Sequence, residues 1–276
     1  MNIAIIGCGY VGEAIAHLWQ KKGHHLTVTT TTPAKKSQLE KIAHQVIVTT
    51  GNNLELLEQV CQNQNLILLC LGAKNRQTYR ETYLQTAQNL NQILAKNTTV
   101  TQLIYTSSYS LLGDQKGIWT DENTTPLPTT ETGEILLATE QTLLTQTNQN
   151  LKICILRLGG IYGPGRTILR IFQNWAGTEQ TGNGEDYSNW THLDDIVNAL
   201  DFAQTKQLAG IYNLVHDHPL KRKELLQKLF NIHNLPPVKW SNSDHQTYPY
   251  NTRLSNQKIK DQGYQFIHPE ILLDLK

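Results

Sequence analysis

Three glycines near the amino terminus, Gly7, Gly9 and Gly12, stand in G-x-G-x-x-G spacing, a pattern suited to holding a diphosphate. Gly7 permits a tight turn, Gly9 lets the backbone approach a pyrophosphate, and Gly12 lets the following helix pack closely on the preceding strand. The N–H groups and dipole at that helix's start attract the anion. Cys8, Tyr10 and Val11, interleaved with the glycines, are counted with them as cofactor-binding positions. Spacing alone is weak evidence, and an ordinary glycine-rich βα turn is the competing reading. Here the motif follows the apolar run Ile3 to Ile6 and opens a segment in which Val11, Ala14, Ile15, Leu18 and Trp19 recur at helical spacing.

The elements that must position this turn follow from the same kind of pattern. Strand-like runs recur at Ile3–Ile6, Leu26–Thr30, Gln45–Val48, Leu66–Cys70, Leu103–Thr106 and Lys152–Leu156, with helix-like stretches between them. Helices are predicted at Arg76–Lys96, where Tyr83, Leu84, Ala87, Leu90, Ile93 and Leu94 make one apolar stripe, and at Thr130–Thr147. Such alternation predicts an α/β fold, a Rossmann-type doubly wound parallel sheet with a smaller C-terminal substrate lobe. The dinucleotide-binding domain is expected over 1–165, with 190–216 returning to it, and the substrate lobe over 166–276. In doubly wound sheets ligands lie beyond the carboxyl ends of the strands. The loops after Ile6, Thr30, Cys70, Thr106 and Leu156 are therefore the ones of interest.

Bulk properties narrow the partners. A formal net charge of +1 without long basic or acidic runs argues for a small-molecule substrate, with no nucleic acid and no membrane surface as partner. The apolar runs are too short to cross a bilayer. The four cysteines are widely spaced and read as free thiols in a reducing cytoplasm. No metal site is expected, and the His216-Asp217-His218 run lacks a further ligand cluster.

The end of the second strand discriminates between cofactors. An NAD-type fold usually offers an Asp or Glu there, whereas this chain reads TVTTTTPAKK. Thr29, Thr30, Thr31 and Thr32 supply hydroxyls and Lys35 and Lys36 positive charge, so the expected cofactor is NADP, with NAD as the alternative. Leu71, Gly72 and Ala73 after the fourth strand are expected to let the cofactor pass close to the backbone, and Gly160 joins the same set.

Four blocks, IAIIGCGYVG at the start, YTSSYSLLGD (Tyr105 to Asp114), RLGGIYGPGR (Arg157 to Arg166) and NWTHLDD (Asn189 to Asp195), resemble the extended short-chain dehydrogenase/reductase superfamily of nucleotide-sugar epimerases and dehydratases. The glycine spacing is similar to its atypical members, and the resemblance spans most of the chain. It implies a Ser or Thr that polarises a carbonyl, a Tyr that exchanges a proton, and a Lys four residues later that lowers the phenol's pKa. Registering on Leu112-Gly113 puts Ser108 at the hydroxyl position. Counting back from Glu140 puts Thr132 where Tyr belongs and Leu136 where Lys belongs. Neither can do that chemistry, since an aliphatic alcohol is a far weaker acid than a phenol. Asn52 stands where relatives often carry an adenine-contacting Asp. The resemblance also implies a homodimer through the helices at Arg76–Lys96 and Thr130–Thr147.

Redox chemistry would then need another proton donor. Tyr109 and Tyr162 are the nearest phenols and His192 a third candidate, although the stronger reading makes the two tyrosines walls of the cofactor pocket and His192 a helix-start residue. Arg166, His192 and Arg253 are expected to face the substrate, the two guanidinium groups as anion holders or as members of ordinary salt bridges. Two functions remain open: an NADP(H)-preferring oxidoreductase or epimerase-like enzyme using Ser108, and a catalytically silent dinucleotide-binding scaffold or redox sensor.

Overall fold

The computed structural model describes residues 1–97, 99–241 and 248–275. Seven strands form one parallel sheet: Asn2–Ile6 (β1), His25–Thr30 (β2), Gln45–Val48 (β3), Leu66–Leu69 (β4), Gln102–Ser108 (β5), Lys152–Leu158 (β6) and Gly210–Leu214 (β7). Their order across the sheet is β7-β6-β5-β4-β1-β2-β3. The chain winds outward from β1 to β3, then returns to lay β4 on the other side of β1. Ile3 is therefore in register with Leu26 on one side and Leu66 on the other. The gap between β1 and β4 is the switch point at which ligands bind in such sheets.

Parallel pairing requires crossovers, and the predicted apolar stripes supply them. Helices Tyr10–Lys21 (α1), Leu54–Cys61 (α2), Thr86–Leu94 (α3), Glu131–Leu144 (α4) and Leu193–Thr205 (α5) follow β1, β3, β4, β5 and β6 in chain order. Leu57 and Val60 of α2 and Leu90 and Ile93 of α3 are buried in one core with Ile67, Leu69, Leu103 and Tyr105 of the sheet. Each such side chain contributes about 1.5–3 kcal/mol on leaving water. The helix expected from Arg76 differs at its start, where Glu81–Gln85 winds as a π-turn before α3.

The chain divides into two compact units. The first holds Met1–Ser107, Glu134–Leu156 and Val197–Ile211, and the second holds Ser108–Gly133, Arg157–Ile196 and Tyr212–Lys276. This division departs from the expected boundary between 165 and 166. Residues 108–133 belong to the second unit because their short strand Trp119–Thr120 pairs with Arg253–Leu254, and the N–H groups of Gln115 and Gly117 both donate to the Asn251 carbonyl at 3.0 Å. Of the expected return segment 190–216, Val197–Ile211 joins the first unit. The second unit has its own core, in which Tyr162, Phe172 and Trp190 pack with Leu225, Leu229 and Phe230. No helix among the described residues is long and apolar enough to cross a membrane.

Candidate functional site

The glycine turn is built by close approach. Gly7 has φ +98°, and a β-carbon on it would stand 2.2 Å from the Cys70 carbonyl oxygen. A β-carbon on Gly12 would stand 2.5 Å from the Gly7 carbonyl oxygen. Both positions exclude any side chain, whereas a β-carbon on Gly9 would meet nothing within 4 Å. Gly9 thus faces open space. Thr29 fixes the turn from β2: its Oγ1 accepts the Gly7 N–H at 2.9 Å and its carbonyl accepts the Cys8 N–H at 2.7 Å. Gly9 caps α1 without a side-chain hydrogen bond, and the Glu13 N–H donates to its carbonyl at 2.8 Å. The first N–H groups of an α-helix have no acceptor within the helix, and with the helix dipole they favour an anion at this end.

The turn borders a cleft of about 320 Å³ in the first unit. Of the cofactor-binding positions expected from the sequence, Gly7, Cys8, Gly9, Thr30, Thr31, Thr32, Lys35, Asn52, Leu71 and Gly72 line it. Tyr10, Val11 and Gly12 form the first turn of α1, and Ala73 lies in the loop between two lining residues. Gly160 is in the second unit, where a β-carbon on it would stand 2.7 Å from the Trp190 indole, so packing demands a glycine there. The two neighbouring lysines separate: Lys35 lines the cleft while Lys36 pairs with Glu40 at 3.9 Å. Burial pushes the Cys8 thiol up to about 12 and the Cys70 thiol up to about 11, so neither sets a thiolate beside an incoming anion.

Seven lining residues lie outside the sequence motifs: Thr49, Thr50, Gly51, Lys74, Thr78, Glu81 and Thr82. The π-turn carries two of them, and π-turns widen a helix in a way that no apolar periodicity announces. Asn52 is held between Thr50, whose hydroxyl donates to its Oδ1, and Glu81, whose carboxylate accepts from its Nδ2.

In the second unit, Ser108 caps the turn Tyr109–Leu112: its Oγ accepts the Ser110 N–H at 3.3 Å and lies 3.0 Å from Ser110 Oγ. Tyr109 is buried edge-on against Tyr250 at 5.4 Å, and burial raises its pKa although the Arg222 guanidinium works the other way. Tyr162 is 2% exposed and packs edge-on against both Trp190 and His192. Thr132 Oγ1 lies 3.1 Å from Thr130 Oγ1, and Leu136 is 1% exposed.

His192 itself caps α5, its Nδ1 accepting the Asp194 N–H at 3.1 Å. The Asp195 carboxylate accepts the N–H groups of Ile267 at 2.7 Å and His268 at 3.0 Å, and so ties down the C-terminal segment. His192, Asp194 and His268 bring donor atoms within 4.8 Å of one another. The two imidazoles stack at 3.6 Å with 27° between planes, and in-plane lone pairs of rings so nearly parallel do not converge on one ion. His216 of the H-D-H run is buried, while Asp217 is engaged by Asn256 at 2.7 Å and Lys260 at 3.0 Å.

Arg166 donates through Nε to the Ile161 carbonyl at 2.9 Å and so staples its own turn. Arg253 lies over the Tyr187 ring at 4.4 Å and the Trp119 ring at 5.4 Å, with Nε donating to the Gly117 carbonyl at 3.0 Å.

A parallel sheet with a glycine turn leading into an uncapped helix beside its switch point defines a Rossmann-type fold. The chain belongs to the NAD dependent epimerase/dehydratase family, whose profile matches residues 3–214. An epimerase family protein, the chloroplastic SDR39U1 homolog of Arabidopsis thaliana, is 28% identical over 94 residues, which span 32% of this chain and 27% of that protein. The structure of UDP-glucuronic acid 4-epimerase from Bacillus cereus in complex with UDP-glucuronic acid and NAD is similar with a TM-score of 0.80 at 19% identity, covering 100% of this chain and 96% of that one. Human epimerase family protein SDR39U1 with NADPH is similar with a TM-score of 0.78 at 15% identity, covering 100% and 98%.

Proposed function

We propose that this chain is an NADP(H)-preferring oxidoreductase or epimerase-like enzyme acting on a small carbonyl or hydroxyl compound. The carrying observation is the Gly7–Gly12 segment, with sterically obligate Gly7 and Gly12, Gly9 facing open space and a helix start without a side-chain cap. These groups fit a diphosphate bridge. The NADPH and NAD in the human and Bacillus structures support a nicotinamide dinucleotide as the ligand. The threonines at the end of β2 and the Lys35 ammonium favour a 2′-phosphate over a bare ribose.

When bound, the nicotinamide ring gives or takes a hydride. The chain's own part is orientation and proton supply. Ser108 Oγ accepts the Ser110 N–H and lies 3.0 Å from Ser110 Oγ, and in this reading its hydroxyl donates to a substrate oxygen. Tyr109 is the phenol this reading assigns to the proton. Burial makes it a weaker acid than a free tyrosine by raising its pKa, against the shift the chemistry needs. All four cysteines are free thiols, and we assign the chain to the cytoplasm. A homodimer through the α3 and α4 helices is part of the same proposal.

A second reading, a catalytically silent dinucleotide-binding scaffold or redox sensor, is favoured by Leu136, which fills the lysine position with a buried aliphatic chain. NADPH oxidation against a panel of carbonyl compounds separates the two. The enzyme reading expects turnover that vanishes in Ser108→Ala and survives in Thr132→Ala. Stoichiometric NADPH binding without turnover on any compound favours the scaffold.

A further inference from the structure

Ser108, the last residue of β5, and Ser110, in the turn that follows, place their hydroxyl oxygens 3.0 Å apart, and either one can be the donor. This is the carboxyl end of the sheet, where ligands bind in doubly wound folds. Both residues are half-buried and so remain open to a ligand or to water. A serine hydroxyl has one proton to give and two lone pairs to fill. The Ser110 N–H, at 3.3 Å, already fills one lone pair of Ser108. When the Ser110 hydroxyl donates into the other, the Ser108 proton is left for a ligand's oxygen. When the contact runs the other way, Ser108 keeps a lone pair for a ligand that arrives with a proton. The pair therefore suits a carbonyl in one direction and an alcohol in the other. The Tyr109 phenol, between them in sequence, is buried against Tyr250 and lacks this open end.

We propose that Ser108 and Ser110 form a two-hydroxyl proton relay in which Ser110 resupplies Ser108 from water, an inference that rests on the enzyme reading above and gives it a route needing no acidic phenol. As hydride adds to the carbonyl carbon, the π pair of the C=O bond moves onto oxygen. That oxygen takes the Ser108 proton, Ser108 Oγ takes the Ser110 proton, and Ser110 Oγ takes one from water, whose hydroxide the solvent neutralises. Both serines end as they began, as neutral hydroxyls. Alkoxide, serine and water oxygens hold a proton with similar strength, so no transfer demands the lowered pKa that a Tyr-Lys pair provides. The Ser110 N–H stays on Ser108 Oγ throughout and keeps it oriented. Alcohol oxidation runs the same chain in reverse.

Steady-state NADPH oxidation by the full chain tests this in Ser108→Ala, Ser110→Ala and Ser110→Thr, with the most rapidly reduced compound of the carbonyl panel as the probe. Ser110→Ala keeps the backbone N–H and removes the hydroxyl, so kcat should fall by about tenfold or more while KM stays within about threefold. Ser110→Thr restores a hydroxyl and should bring kcat back to within about threefold of the wild type. Ser110 is half-buried and its N–H contact survives in both variants, so their thermal midpoints should match the wild type. A wild-type kcat in Ser110→Ala, or an equal loss in Ser110→Thr, would overturn the relay alone while Ser108→Ala remains inactive. A wild type that reduces no compound of the panel, or a fully active Ser108→Ala, would overturn the enzyme reading and the relay with it.

Discussion

Arg222 places both Nε and Nη2 2.8 Å from one oxygen, Oδ2, of Asp186, and the two side chains are 5% and 1% exposed. The guanidinium lies 4.0 Å from the centre of the Tyr248 ring, which covers its face. A charge so enclosed depends on its partner, since water cannot replace it.

Asp186→Ala is therefore expected to destabilise the protein by about 3–5 kcal/mol, because it leaves the guanidinium buried and uncompensated. The double variant Asp186→Leu with Arg222→Met removes both charges and should recover most of that loss. Urea unfolding of the two variants and the wild type measures the difference. Equal losses in the single and double variants would assign the effect to packing and not to charge.

The obligate and open glycines of the amino-terminal turn should respond differently. Gly7→Ala drives a β-carbon into the Cys70 carbonyl at a backbone angle that L-residues rarely adopt. The backbone conformation alone costs about 1–3 kcal/mol, before the clash is counted. Gly9→Ala meets no protein atom and should leave the thermal midpoint nearly unchanged while lowering NADPH affinity about tenfold or more, since its methyl group enters the space left for the diphosphate. Thermal melting and NADPH titration of both variants would separate fold from binding.

Lys35 and Lys36 offer a matched pair for cofactor preference. Lys35→Ala should weaken NADPH by about tenfold and leave NADH nearly unchanged, since only the former brings a 2′-phosphate to the ammonium. Lys36→Ala, at a side chain turned toward Glu40, should alter neither. The Lys35 effect should shrink as salt is raised, as a half-exposed charge contact must. Loss of NADH and NADPH affinity in equal measure would refute the assignment of Lys35 to the phosphate.

Much of this arrangement was legible because local pattern and global fold agree in the first unit. The run Ile3 to Ile6 reads as a buried strand because neighbours on both sides need apolar partners, and Gln45–Val48 is found with its expected bounds. The glycine motif is readable because only glycine satisfies the Cys70 and Gly7 contacts. What escaped the sequence depends on through-space meetings. Glu81 reaches the cleft through a π-turn, and the close approach of Gly160 to Trp190 joins residues thirty apart in sequence. The stacking of His192 on His268 joins segments whose separation in sequence carries no periodic signal.

His216 gives the fold a pH dependence with a definite sign. It is 1% exposed, neither ring nitrogen has a hydrogen-bond partner among the described residues, and burial pushes its pKa from 6.5 down to about 4. Between those two values the unfolded chain binds a proton that the folded chain refuses. Stability from this residue is complete above about pH 6.5 and falls as the pH drops toward 4, by a total on the order of 3 kcal/mol. Urea unfolding at pH 7.5 and pH 5 should therefore show a wild-type loss of about 2 kcal/mol that is largely absent in His216→Gln, which cannot titrate. The variant starts from lower stability at pH 7.5, because an amide fills the ring's space poorly, so the informative quantity is the slope with pH. Parallel slopes in the two proteins would mean that His216 is protonated equally in the folded and unfolded states, and would show that water or a ligand reaches its ring.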